Sequence, residues 1–228
     1  MSALPKNVHV SNHPCLRAKL SQLRSKSTPS KDVKALVHDI SLIVGCEALA
    51  SAITTAPGPK VRPPHRSQSR KTRKATLSIV PILRSGLGMV DAVQTLLPGP
   101  VAVHHLGLYR EPSTLEPVEY YNNLPEHFNA GSGGGSAEPS SLAIIVDPVI
   151  ATGGTCAAAI QTLREWGAQR IIVLSVLGAQ PGLARAAGEW PEGVEIYVAG
   201  LDEELTSGGM LKPGLGDVGD RLFLTIGK

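Results

Sequence analysis

Apolar residues recur at helical spacing after Asp32. Val33, Leu36, Val37, Ile40, Ile43, Val44 and Ala48 stack on one face. Thr28, Pro29 and Ser30 supply start signals, so the pattern predicts a helix over 32–54. The pattern then changes. ATLSIVPI (75–82) is a short β-prone run ending near Pro81, and the Gly-containing turn LRSGLG follows it. Residues 89–97 look helical and stop at Pro98-Gly99, and VAVHHLG (101–107) is a further strand. The segment 108–125 is long and polar. After it come the strand LAIIVD (142–147), a Gly turn and the helix CAAAIQTLREWG. The strand RIIVLSVL (170–177), a short helix around 182–187 and the strand VEIYVAG (194–200) complete the series. Strands that are apolar on both faces and alternate with helices indicate a parallel α/β sheet. No internal repeat is apparent. The chain is read as one domain over 1–228, with flexible insertions at about 57–74 and 129–141.

Composition narrows the class. With 228 residues, 42% hydrophobic and 18% charged, the chain can bury a substantial core. Aromatics are 4%, too few for a base-stacking platform. Of 22 Lys and Arg, seven fall between Lys60 and Lys74 with no acid among them; the rest of the chain is mildly acidic. This basic run lacks interleaved aromatics, so it reads as a solvated loop rather than a nucleic-acid site. No apolar run reaches the roughly 18 residues of a membrane span, and the N-terminus has no signal pattern. Cys15, Cys46 and Cys156 lie far apart, which argues against disulfides or a zinc cluster and suits a reducing interior. A cytoplasmic location is expected, with the nucleus a second option.

In parallel sheets, ligands bind beyond the carboxyl ends of the strands. The segment IIVDPVIATGGTCAAAI places Asp147 at such an end. The chain then turns through Pro148, Val149, Ile150 and Ala151, and Thr152-Gly153-Gly154-Thr155 opens a helix. Two glycines allow close backbone approach, and exposed amides at a helix start favour an anion. Two threonine hydroxyls add donors, and a carboxylate at the strand tip can accept from a sugar diol. The set suits a ribose 5-phosphate. An ordinary βα turn with a helix cap would show the same glycines. The segment matches neither a Walker A motif nor a GxGxxG motif. Arg84 in VPILRSGLGM and Arg110 in GLYREPSTLEP are cations at strand ends that could clamp a polyphosphate. GMLKPGLGDVGDRLF demands an unusual backbone path, either to expose peptide groups to a flat heterocycle or as a turn into a final strand. Cys156 reads as a packing residue. His104 and His105 are expected on opposite faces of a strand, unable to chelate one metal together.

VPILRSGLGMVDAV, HLGLYREPSTLEPVEYYNNLP, DPVIATGGT and PGLGDVGDRLF, in that order, resemble the segments of uracil phosphoribosyltransferases. The N-terminal NHPCLRAKLSQLR and the helix ending in CEALA resemble that family too. The resemblance implies a type I phosphoribosyltransferase fold: a parallel sheet with helices on both faces and a hood over the base site. It implies transfer of phosphoribosyl from 5-phosphoribosyl 1-diphosphate (PRPP) to uracil, giving UMP and diphosphate in pyrimidine salvage. By the family pattern, the segment from Asp147 to Thr155 holds the ribose 5-phosphate. Arg84 and Arg110 face the diphosphate, and Asp217 lies near the sugar-phosphate and the metal. Met210, Leu211, Gly216, Asp217 and Val218 fall in the uracil segment. Mg2+ is expected to arrive through PRPP and water, with no direct protein ligand. The family also implies a homodimer or larger homo-oligomer; GTP activation, known in some members, is an option here. Two departures stand out: Met210 replaces the usual tyrosine, and Val218 the usual alanine. They motivate an alternative, a catalytically weak relative that binds PRPP or a nucleotide as a sensor.

Overall fold

A computed structural model describes residues 3–61, 67–72, 76–111, 114, 116–125 and 140–225. The chain opens with strand β1 (Val8–Val10), helix α1 (Pro14–Arg24) and helix α2 (Ser30–Ala52). Strands β2 (Thr55–Val61) and β3 (Ser67–Thr72) pair antiparallel. Then come β4 (Leu77–Leu83), α3 (Leu87–Leu96), β5 (Ala102–Val103), β6 (Leu106–Arg110) and β7 (Pro117–Asn122). The second half runs β8 (Leu142–Val146), β9 (Val149–Ile150), α4 (Gly154–Trp166), β10 (Ile171–Ala179), α5 (Gln180–Glu189) and β11 (Val194–Asp202). A short hairpin, β12 (Glu204–Leu205) with β13 (Leu211–Lys212), precedes α6 (Val218–Phe223).

The main sheet has the order β1-β11-β10-β8-β4-β6-β7, with β5 beside β4 and β9 beside β10. Every pairing in it is parallel except β6 with β7. Side-chain alternation divides the core. Ile79, Ile144, Ile172 and Leu174 face α1, α2 and α3, while Val80, Ile145, Ile171 and Val173 face α4 and α5. The predicted α/β architecture, with helices on both faces, is the one observed.

Several local expectations are corrected. The sequence of β7 offers no apolar alternation because it is a largely exposed edge strand. The expected 101–107 strand breaks at His104 and His105, which lie between β5 and β6. The basic insertion is partly a two-stranded hairpin rather than a loop, with 62–66 and 73–75 outside the described residues. The Gly/Ser-rich insertion likewise falls outside them from 126 to 139. The glycine-rich C-terminal turn leads into α6, not a strand, because Asp217 caps that helix and accepts from the Asp220 N–H.

One exclusion also changes. By length and composition alone α2, at 23 residues, is long and apolar enough to cross a membrane. Its buried stripe, Val33, Leu36, Val37, Ile40 and Val44, packs in the core against the sheet instead.

Candidate active site

The carboxyl ends of β4, β6 and β8 open on one side of the sheet, and a cavity of about 270 Å³ lies there. Its floor is the turn that follows β8. Asp147, Val149, Ile150, Ala151, Thr152, Gly153 and Thr155 line it, as do Tyr109 and Arg110 from β6. The opposite wall is the segment after β12: Met210, Leu211, Leu215, Gly216, Asp217 and Val218.

The turn owes its shape to backbone contact. Gly153 has φ +78°, and a Cβ there would stand 2.2 Å from the carbonyl oxygen of Gly182 in α5. Neither the angle nor the space admits a side chain. The Pro148 carbonyl accepts from the N–H groups of Val176 and Leu177 on β10, which fixes the entry to the turn.

Asp147 is buried. Burial pushes its carboxyl up to about 7, although the Val149 N–H and the Ser85 hydroxyl, at 3.3 Å, both favour the ionised form. A buried carboxyl at the end of a sheet strand, facing a cavity, is poised to exchange its proton for hydrogen bonds from a bound hydroxyl pair. Cys156 is buried behind it. Burial, together with the charge of Asp147, pushes that thiol up, away from reactivity.

The two arginines differ. Arg110 lines the cavity, and its Nη1 donates to the Gly209 carbonyl at 3.1 Å, bridging β6 to the opposite wall. Arg84 does not line it. Its guanidinium donates to Asp220 Oδ1 at 2.9 Å and to Thr225 Oγ1 at 2.8 Å. Pro148 and Gly154 are likewise outside the lining: the first anchors the turn and the second begins α4. Sequence reasoning missed Ser85 and Tyr109. Ser85 sits inside a motif valued for its arginine and glycines, and no local signal ties it to Asp147, 62 residues away.

Among the described residues no group of three or more His, Cys, Asp or Glu could hold a metal. His104 packs edge-on against Trp166, and burial and the neighbouring His105 both lower its pKa.

The family model described as uracil phosphoribosyltransferase matches residues 10–225. The chain is 40% identical over 214 residues to the uracil phosphoribosyltransferase of Clostridioides difficile (strain 630), covering 94% of this chain and 96% of that one. It is 41% identical over 220 residues to that of Listeria welshimeri, with 96% and 99% covered. Among solved structures, the AQ2163 protein from Aquifex aeolicus superposes with a TM-score of 0.81 at 28% identity, covering 96% of this chain and 98% of that one. With the family model spanning nearly the whole chain and relatives matching end to end, this chain belongs to the uracil phosphoribosyltransferase family.

Proposed function

We propose that this chain transfers the 5-phosphoribosyl group from PRPP to uracil, giving UMP and diphosphate. The observation that carries the reading is one cavity whose two walls differ in chemistry. One is a buried carboxyl with a helix-start turn, suited to a sugar-phosphate. The other is a glycine-rich segment lined by Leu211, Leu215 and Val218, suited to a flat base.

In this reading the 5-phosphate sits at the start of α4, where free amides and the hydroxyls of Thr152 and Thr155 meet it. Asp147 accepts from the ribose hydroxyls and orients the anomeric carbon. Arg110 donates to the diphosphate as charge grows on it. Arg84 joins it by leaving Asp220 and Thr225. The main chain of 216–218 holds the base edge in line with the anomeric carbon, and positioning does most of the work. As the bond to diphosphate breaks, the ribose gains oxocarbenium character, and the base nitrogen forms the new bond on the opposite face, its proton passing to water or to the departing diphosphate.

The residues present fit a cation delivered on its substrate, since Mg2+ keeps most of its water and needs few protein ligands. Asp217, exposed at the cavity wall, would hold Mg2+ through water, and the ion would offset charge on the leaving diphosphate. We also propose a homo-oligomer, on the family resemblance alone.

The test is conversion of labelled uracil with PRPP and Mg2+, scored as equal amounts of UMP and diphosphate. Release of UMP in repeated turnovers is expected. PRPP binding without UMP formation would replace this reading with that of a nucleotide sensor.

A further inference from the structure

The base wall lies outside the main sheet, on a segment with little regular structure. What holds it comes from the two ends of the chain. Arg24, in the last turn of α1, grips the Asp202 carboxylate with both terminal nitrogens. Asp202 ends β11 and is buried. Its Oδ2 accepts from the Gly214 N–H at 2.8 Å, and Arg24 Nη1 donates to the Gly214 carbonyl at 2.9 Å. Both polar groups of one peptide residue are thereby fixed. Gly214 has φ +70°, and a Cβ there would meet the Leu211 carbonyl oxygen at 2.3 Å, so the chain has one tight path at this point. Arg221, from α6, completes the set. Its Nη1 donates to the carbonyls of Leu215 (2.8 Å) and Leu23 (2.7 Å), and its Nη2 to that of Ser25 (2.8 Å).

None of Arg24, Asp202 and Arg221 lines the cavity, yet Leu215 and Gly216, next along the chain from Gly214, do. The bidentate guanidinium–carboxylate pair is among the most directional contacts a protein can make. Here it is directed at a peptide rather than a ligand. The end of α1 is also where Arg221 finds its other two carbonyl acceptors, Leu23 in the last turn and the cap residue Ser25, whose carbonyl also accepts from the Thr28 N–H.

We propose that Arg24, Asp202 and Arg221 form a clamp that sets the position of the 214–217 main chain, and that they are positioning residues for nucleobase recognition. The inference rests on the base-site reading above. The N-terminal helix is then part of the specificity apparatus, although it touches no substrate. The sugar-phosphate floor does not depend on the clamp, because it is anchored through β8, β10 and α5.

The test uses the full-length protein and two variants. Arg24→Met removes the charge and leaves Asp202 buried without its ion partner. Arg24→Lys keeps the charge and removes the two-nitrogen fork. Amide hydrogen exchange and steady-state kinetics are read together. Exchange over 211–218 should rise about tenfold or more in both variants, with exchange over 147–157 unchanged. KM for uracil should rise roughly tenfold, while KM for PRPP stays within about twofold, because a small displacement of a positioned group has large effects. Exchange unchanged over 211–218 in a folded Arg24→Lys would overturn the clamp. So would an equal rise in both KM values. If wild-type protein forms no UMP, the functional reading fails instead, and the exchange pattern alone decides for or against the clamp.

Discussion

The floor and the wall of the cavity are built in different ways. The floor, 147–155, continues directly from a buried strand into a helix. It is held by backbone contacts to adjacent elements: Pro148 to β10, and Gly153 against Gly182 in α5. The wall, 210–218, is a loop with a short hairpin, held by side chains from α1, β11 and α6. A site laid on core elements is written into one short motif. A site laid on a loop is written partly in residues nearly 200 positions away. The floor can therefore persist unchanged while the wall varies, and Met210 and Val218 are departures of that kind.

The largest effect separating the two regions is expected at Asp147. Asp147→Asn keeps the shape and an acceptor for Ser85 but removes the charge. It should lower kcat/KM by about 10²–10³-fold, measured by UMP formation, in line with the loss of one electrostatic group from a buried site. The free protein should respond in the opposite direction. The folded carboxyl titrates near 7 and the unfolded one near 3.8. Between those values the folded state binds more protons, so stability falls as pH rises through that window. Chemical denaturation should show the wild type losing up to about 4 kcal/mol relative to Asp147→Asn between pH 4 and pH 8. A variant equally active with wild type, or a flat difference across pH, would remove Asp147 from the floor. The wild-type kcat/KM should also show an acid limb near pH 7, absent from the variant's residual activity.

Next is the turn itself. Gly153→Ala must push a methyl group against the Gly182 carbonyl and hold φ at +78°. The expected cost is about 1–3 kcal/mol of stability, read as a lower denaturation midpoint. KM for PRPP should rise about tenfold or more, with KM for uracil much less affected. A variant as stable as wild type would mean that the turn can relax away from α5.

The smallest expected effect concerns the wall. Val218 is buried and lines the cavity, whereas Met210 is 43% exposed at its rim. Extra volume in a packed slot costs about 1–3 kcal/mol. The double change Met210→Tyr with Val218→Ala should lower KM for uracil roughly tenfold, with KM for PRPP unaltered. The buried position should supply most of the gain, so Val218→Ala alone should approach the double variant. No gain in either would mean that the wall has moved to accommodate the valine, or that the chain prefers another base.

Much of this was legible in the residues. Apolar runs with helical or strand character gave the parallel sheet, and the glycines after Asp147 gave the floor. Four things were not legible. The edge strand β7 carries no alternation because solvent bathes it, and α1 hides its core positions, Leu16, Leu20 and Leu23, among five basic and polar neighbours. Arg84 resembles a diphosphate ligand by position, yet Asp220 and Thr225, more than a hundred residues away, decide where its guanidinium rests. The clamp on the wall ties the end of α1 to residues 178 to 198 positions further along, a distance over which no pattern in the chain signals contact.

The division into floor and wall is tested most directly by calorimetric titration with ribose 5-phosphate, which carries the sugar-phosphate and no base. Wild type and Val218→Ala should bind it within about twofold of each other, and Gly153→Ala should bind it at least about tenfold more weakly, since a 1.4 kcal/mol loss is a factor of ten. Ribose 5-phosphate affinity that follows Val218 and ignores Gly153 would contradict the account.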